Sequence, residues 1–503
     1  MLKKINIILG SITLYLSIFI IFLVRWALTT FGKQPVDSML FTLFNSFSDS
    51  STTMLNNFYK HCLIPATIIY IIIMLILFFN PLKLEIKAEL KKLNEKKYTL
   101  FPFIYIKKFF FAINIVTLVI IGYISADQFG ITDYIVAQAT SSDFIEANYA
   151  DPETTEIIFP SQKRNLIYIY MESLETTYLS NTLGGYQSTN LMPKLTELTS
   201  GQTNFSNTDL LGGAVSSSGS TWTIAGMVST TAGIPLKVDV DGNSYGSEDD
   251  FLPGAYNLGD ILEKEGYNQM IMMGSDSLFA GRKYYFTLHG NYDIFDYYTA
   301  ISEGKISSSY KVWWGYEDSK LYEYAKEKLA VLASEDEPFN FTLLTADTHF
   351  PDGYLSEYCS YSNKYDDNLS NVVVCADDML YDFISWIKEQ DFYDNTTIVI
   401  SGDHISMDQN FFKDVSDDYT RTVYNLFINS AVTTENNKNR NFTTLDMFPT
   451  TLASLGVIID GDKLGLGTNL FSDKQTLTEQ YGIDYINQEL DKSSDFYKEN
   501  ILK

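Results

Sequence analysis

Three apolar runs fall within the first 126 residues of this 503-residue chain, from about Ile5 to Leu23, Leu63 to Phe79 and Phe109 to Ala126. Each comes close to the roughly 20 residues a helix needs to cross the hydrocarbon of a bilayer. Residues 1–126 therefore read as a helical transmembrane anchor. Lys3 and Lys4 precede the first run, as in a signal peptide, but the run exceeds a typical signal core and no A-x-A cleavage pattern follows it. Lys83, Lys87, Lys91, Lys92, Lys96, Lys97, Lys107 and Lys108 lie between the second and third runs. A loop this basic stays cytoplasmic. The N-terminus is then inside, and everything beyond the third run is extracellular or periplasmic. Segment Val36–Phe47 is too short to span and mixes apolar with polar residues, as expected of an interfacial or external helix.

Charge divides the chain at the same place. Residues 1–126 hold 13 Lys and Arg against 5 Asp and Glu, and the remainder holds 23 against 57. Such an acidic remainder is a poor nucleic-acid binder, because phosphate contacts need Lys and Arg. An aromatic content of 15% is too high for a disordered acidic tail. A linker is expected over 127–161, a catalytic domain over 162–475 and a C-terminal tail over 476–503. Cys359 and Cys375 are 16 residues apart in this external part, so a disulfide is open to them but not forced.

Within the acidic part, short apolar runs alternate with helical stretches, which argues for an α/β fold with a mostly parallel or mixed sheet. Asn165–Tyr170, Gln269–Met273, Phe339–Leu344 and Thr397–Ile400 read as buried strands; Asp318–Ala333 and Ala376–Glu389 read as helices. Polar groups follow each strand: Glu172-Ser173, Gly274-Ser275-Asp276, Thr345-Ala346-Asp347-Thr348-His349, and Gly402-Asp403-His404. In open α/β sheets ligands bind beyond the carboxyl ends of strands, so Glu172, His349, Asp403 and His404 can converge. Any one of them alone is an ordinary loop residue. Together they include two of the chain's four histidines. An adjacent Asp and His offer one oxygen and one nitrogen ligand, which suits zinc or manganese. His61 and His289 read as structural.

The hydroxyl-rich loop Ser216–Thr223 runs into an apolar, helix-compatible stretch ending near Gly233-Ile234-Pro235. A Thr at such a boundary is ordinarily a helix cap. The same place favours an anion or phosphate, and a nearby metal would turn a hydroxyl into a nucleophile. Spacing alone leaves Ser220, Thr221 and Thr223 as candidates.

Tyr-Met-Glu172-Ser, Gly219-Ser-Thr-Trp-Thr223-Ile-Ala-Gly-Met with Gly233-Ile-Pro235, and Ser401-Gly-Asp-His404 resemble, in that order, the phosphoglycerol transferases of the alkaline-phosphatase/sulfatase superfamily. That family contains lipoteichoic acid synthases and enzymes that modify periplasmic glucans, and the wording here is nearest the glucan-modifying branch. The resemblance implies a sulfatase-like sheet flanked by helices. It implies Glu172, Asp403 and His404 as ligands of a divalent metal, manganese before magnesium or zinc, with Thr223 as fourth ligand and nucleophile. Thr221 stands where the synthase frame has its second Gly. His349 matches a histidine that contacts the phosphate or leaving group, and Arg282 an arginine that grips phosphoglycerol. Ala280 stands where the synthases have a tryptophan. The implied reaction moves glycerol phosphate from phosphatidylglycerol to a cell-envelope glycan or teichoic-acid-type acceptor through a phospho-threonine.

A phosphoethanolamine transferase of the same superfamily, or a non-catalytic envelope binding protein, is the alternative. A sulfatase is disfavoured, because the Cys/Ser-x-Pro-x-Arg nucleophile motif is absent. The topology has its own test. A reporter active only in the cytoplasm, fused after residue 160, should be silent; strong activity there would overturn the external placement.

Overall fold

The computed structural model describes residues 2–44, 52–79, 85–87, 97–99, 108–238, 245, 250–362 and 364–503. The chain divides into two units, Met1–Gln34 with Ser50–Asp133, and Pro35–Asp49 with Tyr134–Lys503.

In the first unit each apolar run is helical. Leu2–Phe31 is one helix, Thr52–Phe58 continues through a π-turn at Tyr59–Leu63 into Ile64–Phe79, and Phe110–Gln128 is the third. The π-turn precedes Pro65, which has no N–H to close a helical bond back to His61. The stretches Lys4–Phe31, Leu55–Leu77 and Phe110–Gln128 are long and apolar enough to cross a membrane. Ile8, Ile12, Ile72 and Val119 are exposed on them, as a lipid-facing surface requires. Inside the unit, the Ser11 and Tyr70 hydroxyls lie 2.5 Å apart, and a Cβ on Gly10 would collide with the Phe110 ring. The expected basic loop lies outside the described residues, apart from Lys108 and the paired strands Glu85–Lys87 and Lys97–Thr99.

The second unit is built on a seven-stranded sheet: β1 (Asn165–Met171), β2 (Gly213–Ala214), β3 (Asn268–Met273), β4 (Asp293–Phe295), β5 (Phe339–Leu344), β6 (Thr396–Gly402) and β7 (Val423–Ile428). The order is β2-β7-β6-β1-β5-β3-β4. β6, β1, β5, β3 and β4 run parallel, while β7 is antiparallel to both β6 and β2. Alternate side chains of β1 feed opposite faces. Leu166, Tyr168 and Tyr170 enter one core, and Ile167, Ile169 and Met171 the other. With both faces covered, the central strands read as continuous apolar runs, the pattern expected of buried parallel strands. Met171 pairs with Gly402, and Tyr170 with Leu344. This register brings the residues just after β1, β5 and β6 to one level.

The expected helices form as Asp318–Leu332 and Asn368–Lys388. Residues 134–161 and 476–503, set apart in sequence as linker and tail, belong to this unit. Ile157–Ile158 pairs with Ile458–Ile459. Helices Leu477–Tyr481, Ile483–Leu490 and Asp495–Asn500 bury Leu477, Ile486, Leu490, Tyr497 and Ile501 in the core. The segment expected to be interfacial or external forms a helix over Val36–Phe44 that also belongs to this unit, with Phe41 buried.

Cys359 and Cys375 form a disulfide that ties the chain beyond His349 to the helix Asn368–Lys388. Cys62 is the free cysteine. In the loop-entropy model a closed loop of this length contributes about 3 kcal/mol. Replacing both cysteines by Ser should lower unfolding stability by an amount of that order. Thiol labelling of the denatured, unreduced protein should find one reactive thiol; three would rule the bond out.

Candidate active site

Glu172 follows β1, and Asp403 and His404 follow β6. Thr223 opens the helix Thr223–Ala232, whose preceding residue Trp222 is extended at φ −141° and ψ 162°. This helix can approach the sheet closely because of Gly226, where a Cβ would collide with the backbone carbonyl of Asp403. The Tyr170 hydroxyl, 2.7 Å from Thr230 Oγ1, joins β1 to the same helix.

The four groups meet. Thr223 Oγ1 lies 3.5 Å from Glu172 Oε2 and 3.4 Å from His404 Nε2. His404 Nε2 lies 3.6 Å from Glu172 Oε1 and 3.5 Å from Asp403 Oδ2. One ligand atom each from Glu172, Asp403 and His404 falls within 4.8 Å of the others, and all three residues are buried. Of the three hydroxyls left open by spacing, Thr223 is the one in this cluster. Ser220 Oγ donates to the Ser217 carbonyl at 2.8 Å, and Thr221 Oγ1 is buried without a hydrogen bond.

The donor set fits a divalent cation. Asp403 Oδ1 accepts from the backbone N–H groups of Ser173 at 2.8 Å and His404 at 2.9 Å. Its Oδ2 is buried with no hydrogen bond among the described residues. A buried carboxylate oxygen without a partner is costly. His404 Nδ1 is 2.8 Å from the Ile405 carbonyl. A carbonyl only accepts, so Nδ1 carries a proton, and whenever the ring is neutral its Nε2 lone pair turns inward. Such backbone support is the usual way a ligating His is oriented. Burial, then the Glu172 charge, pushes Asp403 up to about 7. Burial disfavours charged His404, but Asp403 and Glu172 outweigh it and hold its pKa above the usual imidazole range. Lone pairs this close must share either protons or a cation.

Arg282 and His349 stand beside this cluster without a hydrogen bond to it among the described residues. Arg282 begins the helix Arg282–Leu288 and is buried. Its Nε donates to the Phe279 carbonyl and its Nη2 to the Asp276 carbonyl. Burial lowers its pKa to about 10, against the charges of Glu172 and Asp403. His349 Nδ1 is 2.6 Å from the Phe350 carbonyl, repeating the arrangement of His404. Burial lowers its pKa to about 4, so its free Nε2 is a proton acceptor at neutral pH.

Several supporting residues escaped the sequence reading. Ser173, at φ 55°, donates through Oγ to Glu172 Oε1 at 2.7 Å. Thr345 Oγ1 accepts the Glu172 N–H, and Thr348 Oγ1 donates to the Glu172 carbonyl. Asp318 accepts the N–H groups of Ala346 and Asp347, which fixes the loop leading to His349. Glu175 holds Arg421 and the Ser406 N–H, bracing the loop after His404. Trp314 packs between Phe279 and His349, with ring centroids 5.5 and 4.6 Å away. Thr345 and Thr348 were legible as polar residues after a strand. Trp314 carried no such mark, because only the fold brings its loop to His349.

Replacing Asp403 or His404 by Ala should weaken manganese binding by more than about 100-fold, since loss of a supporting partner alone costs 10–100-fold. In the wild type, Asp403 is protonated below about 7 and the proton competes with the metal. Affinity should therefore fall as pH drops below 7, by up to about tenfold per unit for each proton displaced. Calorimetric titration with manganese at several pH values checks both. Unchanged affinity in Asp403→Ala, or affinity flat from pH 5 to 8, would remove Asp403 from the ligand set.

Comparison with known proteins bears on the fold and the family. Phosphoglycerol transferase I of Salmonella paratyphi B is 34% identical over 292 residues, covering 56% of this chain and 36% of that protein. Its counterpart in Salmonella typhimurium matches equally. The chain thus spans about a third of the length of these relatives. Among solved structures, the integral membrane protein lipooligosaccharide phosphoethanolamine transferase A from Neisseria meningitidis superposes with a TM-score of 0.51 at 14% identity, over 89% of this chain and 84% of that one. At that identity the likeness concerns the fold. The sulfatase family model matches residues 164–457, from the first strand of the sheet past all four clustered residues, and the chain belongs to the sulfatase family.

Proposed function

We propose that the protein is a membrane-anchored phosphoglycerol transferase whose nucleophile is Thr223. The observation that carries this is the placement of the Thr223 hydroxyl, 3.4–3.5 Å from His404 and Glu172 at a helix N-terminus. The name of the relatives that match over 56% of the chain supports the headgroup. The three apolar helices support the anchor. An anchor confines the enzyme to the surface that holds its lipid donor and so avoids a diffusional search.

Glu172, Asp403, His404 and Thr223 would hold the divalent cation, manganese first. When bound, such an ion lowers the proton affinity of a hydroxyl and draws charge from phosphate oxygens. In the first step the Thr223 oxygen forms a bond to the phosphorus of phosphatidylglycerol. The bond from phosphorus to diacylglycerol breaks, and the threonine proton passes, net, to the departing diacylglycerol oxygen. In the second step an acceptor hydroxyl, on an envelope glycan or a polyglycerol-phosphate chain, forms its bond to phosphorus. The Thr223–phosphorus bond breaks, and the acceptor's proton passes, net, to Thr223. His349 suits the second step, because a neutral imidazole with a free Nε2 accepts a proton from an attacking hydroxyl. Arg282 offsets charge on the non-bridging oxygens. The sheet and both loops are external in this reading, and the basic loop is cytoplasmic.

The two-step scheme requires a covalent phosphoglycerol adduct when acceptor is scarce. Mass spectrometry should find it on the peptide containing Thr221-Trp222-Thr223. Thr223→Ala should keep the fold, since Thr223 is the first residue of its helix with Trp222 at the cap position and Ala is the best helix former, and lose essentially all transfer. Thr221→Ala should be far milder. If Thr223→Ala transfers at the wild-type rate, the nucleophile is misassigned; if the adduct carries ethanolamine phosphate, the headgroup is.

A further inference from the structure

We propose that the helix Val36–Phe44, from the stretch between the first two apolar helices, is a positioning element of the active site. It acts through Phe41 on Trp222 and so on Thr223; this rests on the reading of Thr223 as nucleophile. Phe41 is 3% exposed. Its ring centroid lies 5.6 Å from that of Trp222 and 6.2 Å from that of Tyr245. Tyr245 in turn packs on Phe251 at 4.8 Å. Leu40 packs against the same core, which includes Ile224 and Val228 of the nucleophile helix.

Trp222 is the residue through which this packing reaches Thr223. Its carbonyl accepts the Gly226 N–H at 2.8 Å and so opens the helix. Its indole Nε1 is buried and makes no hydrogen bond among the described residues. Packing alone therefore holds the ring, and Phe41 is one of its walls. A residue with no polar tether shifts when a wall is removed, and Thr223 is attached to it directly. Asp37 adds a second point of attachment. It is buried, and with Ser218, Gly219, Pro235 and Lys237 it lines a small cavity that also reaches Asp491. Ser218 and Gly219 lead into the nucleophile helix, and Pro235 and Lys237 follow it. The segment thus faces, across this cavity, the chain on both sides of that helix. Among the described residues the cluster of Glu172, Asp403 and His404 takes no group from 36–41, so a role of this helix in turnover is by placement.

The test uses the full chain with vesicles of phosphatidylglycerol labelled in its headgroup. The amplitude of the adduct burst counts competent sites, and steady-state turnover is divided by that count. Phe41→Ala should lower kcat per competent site by about tenfold to 100-fold, as expected for a nucleophile displaced by up to an ångström. KM for the lipid and manganese affinity should stay within about twofold. Phe41→Leu, which refills most of the volume, should restore most of the rate. A purely structural Phe41 gives fewer sites at the wild-type rate per site, and that result overturns the proposal. If Phe41→Ala does not fold, Phe41→Val is measured with the same criterion. Thr223→Ala separates the two readings. If it retains turnover, the nucleophile assignment fails; if it is dead while Phe41→Ala is normal per site, only the positioning role fails.

Discussion

The structure turns on the close approach of groups that repel one another. Glu172, Asp403 and the Nε2 face of His404 are buried within 4.8 Å, where water cannot screen them. Bringing two carboxylates out of water is unfavourable without a compensating charge. The fold meets part of that cost with hydrogen bonds. Ser173 and His404 N–H groups hold one oxygen of Asp403, and the Ser173 hydroxyl holds one oxygen of Glu172. Asp403 Oδ2 is left over. A divalent cation would correct that remaining imbalance.

The sheet makes such a cluster possible by register rather than by sequence proximity. Glu172 and Asp403 are far apart in sequence but follow residues paired across β1 and β6, Met171 and Gly402. β5 on the other side delivers Thr345, which fixes the Glu172 backbone. The helix Thr223–Ala232 comes down on the carboxyl end of β6, and only a glycine at position 226 leaves room for the Asp403 carbonyl. A larger residue there would move Thr223 outward and break the cluster without altering Glu172, Asp403 or His404.

Much of this was legible because buried parallel strands write themselves as apolar runs and end in polar residues. β1, β3, β5 and β6 appeared within one or two residues of their ends, and Phe339–Leu344 appeared as it stands. β7, Val-Tyr-Asn-Leu-Phe-Ile, is as apolar but is followed by no chemical motif, and the two- and three-residue strands β2 and β4 are too short to leave a period. Helices 477–481, 483–490 and 495–500 were not anticipated, because each is short and buries only a few side chains. The hydroxyl loop showed the limit most clearly. Ser220, Thr221 and Thr223 are chemically equivalent in sequence. Only the helix start and the extended Trp222 decide that Thr223 faces Glu172 and His404 while Thr221 turns into the protein.

The same reasoning bears on Ala280. The synthase-like frame has a tryptophan there, and this chain has a residue at φ 58° with a small side chain. A bulky aromatic is unfavourable in the left-handed region. The structure instead brings Trp314 from a distant loop against Phe279, the neighbour of Ala280, and against His349. Arg282 lies over the other partner of that stack, 5.6 Å from the Phe279 ring. Phe279 is therefore shared between a cation and an indole, and Arg282 is held by the Phe279 and Asp276 carbonyls from the same short turn. An aromatic wall next to Arg282 is thus supplied by tertiary packing of Phe279 and Trp314 rather than by a tryptophan at position 280.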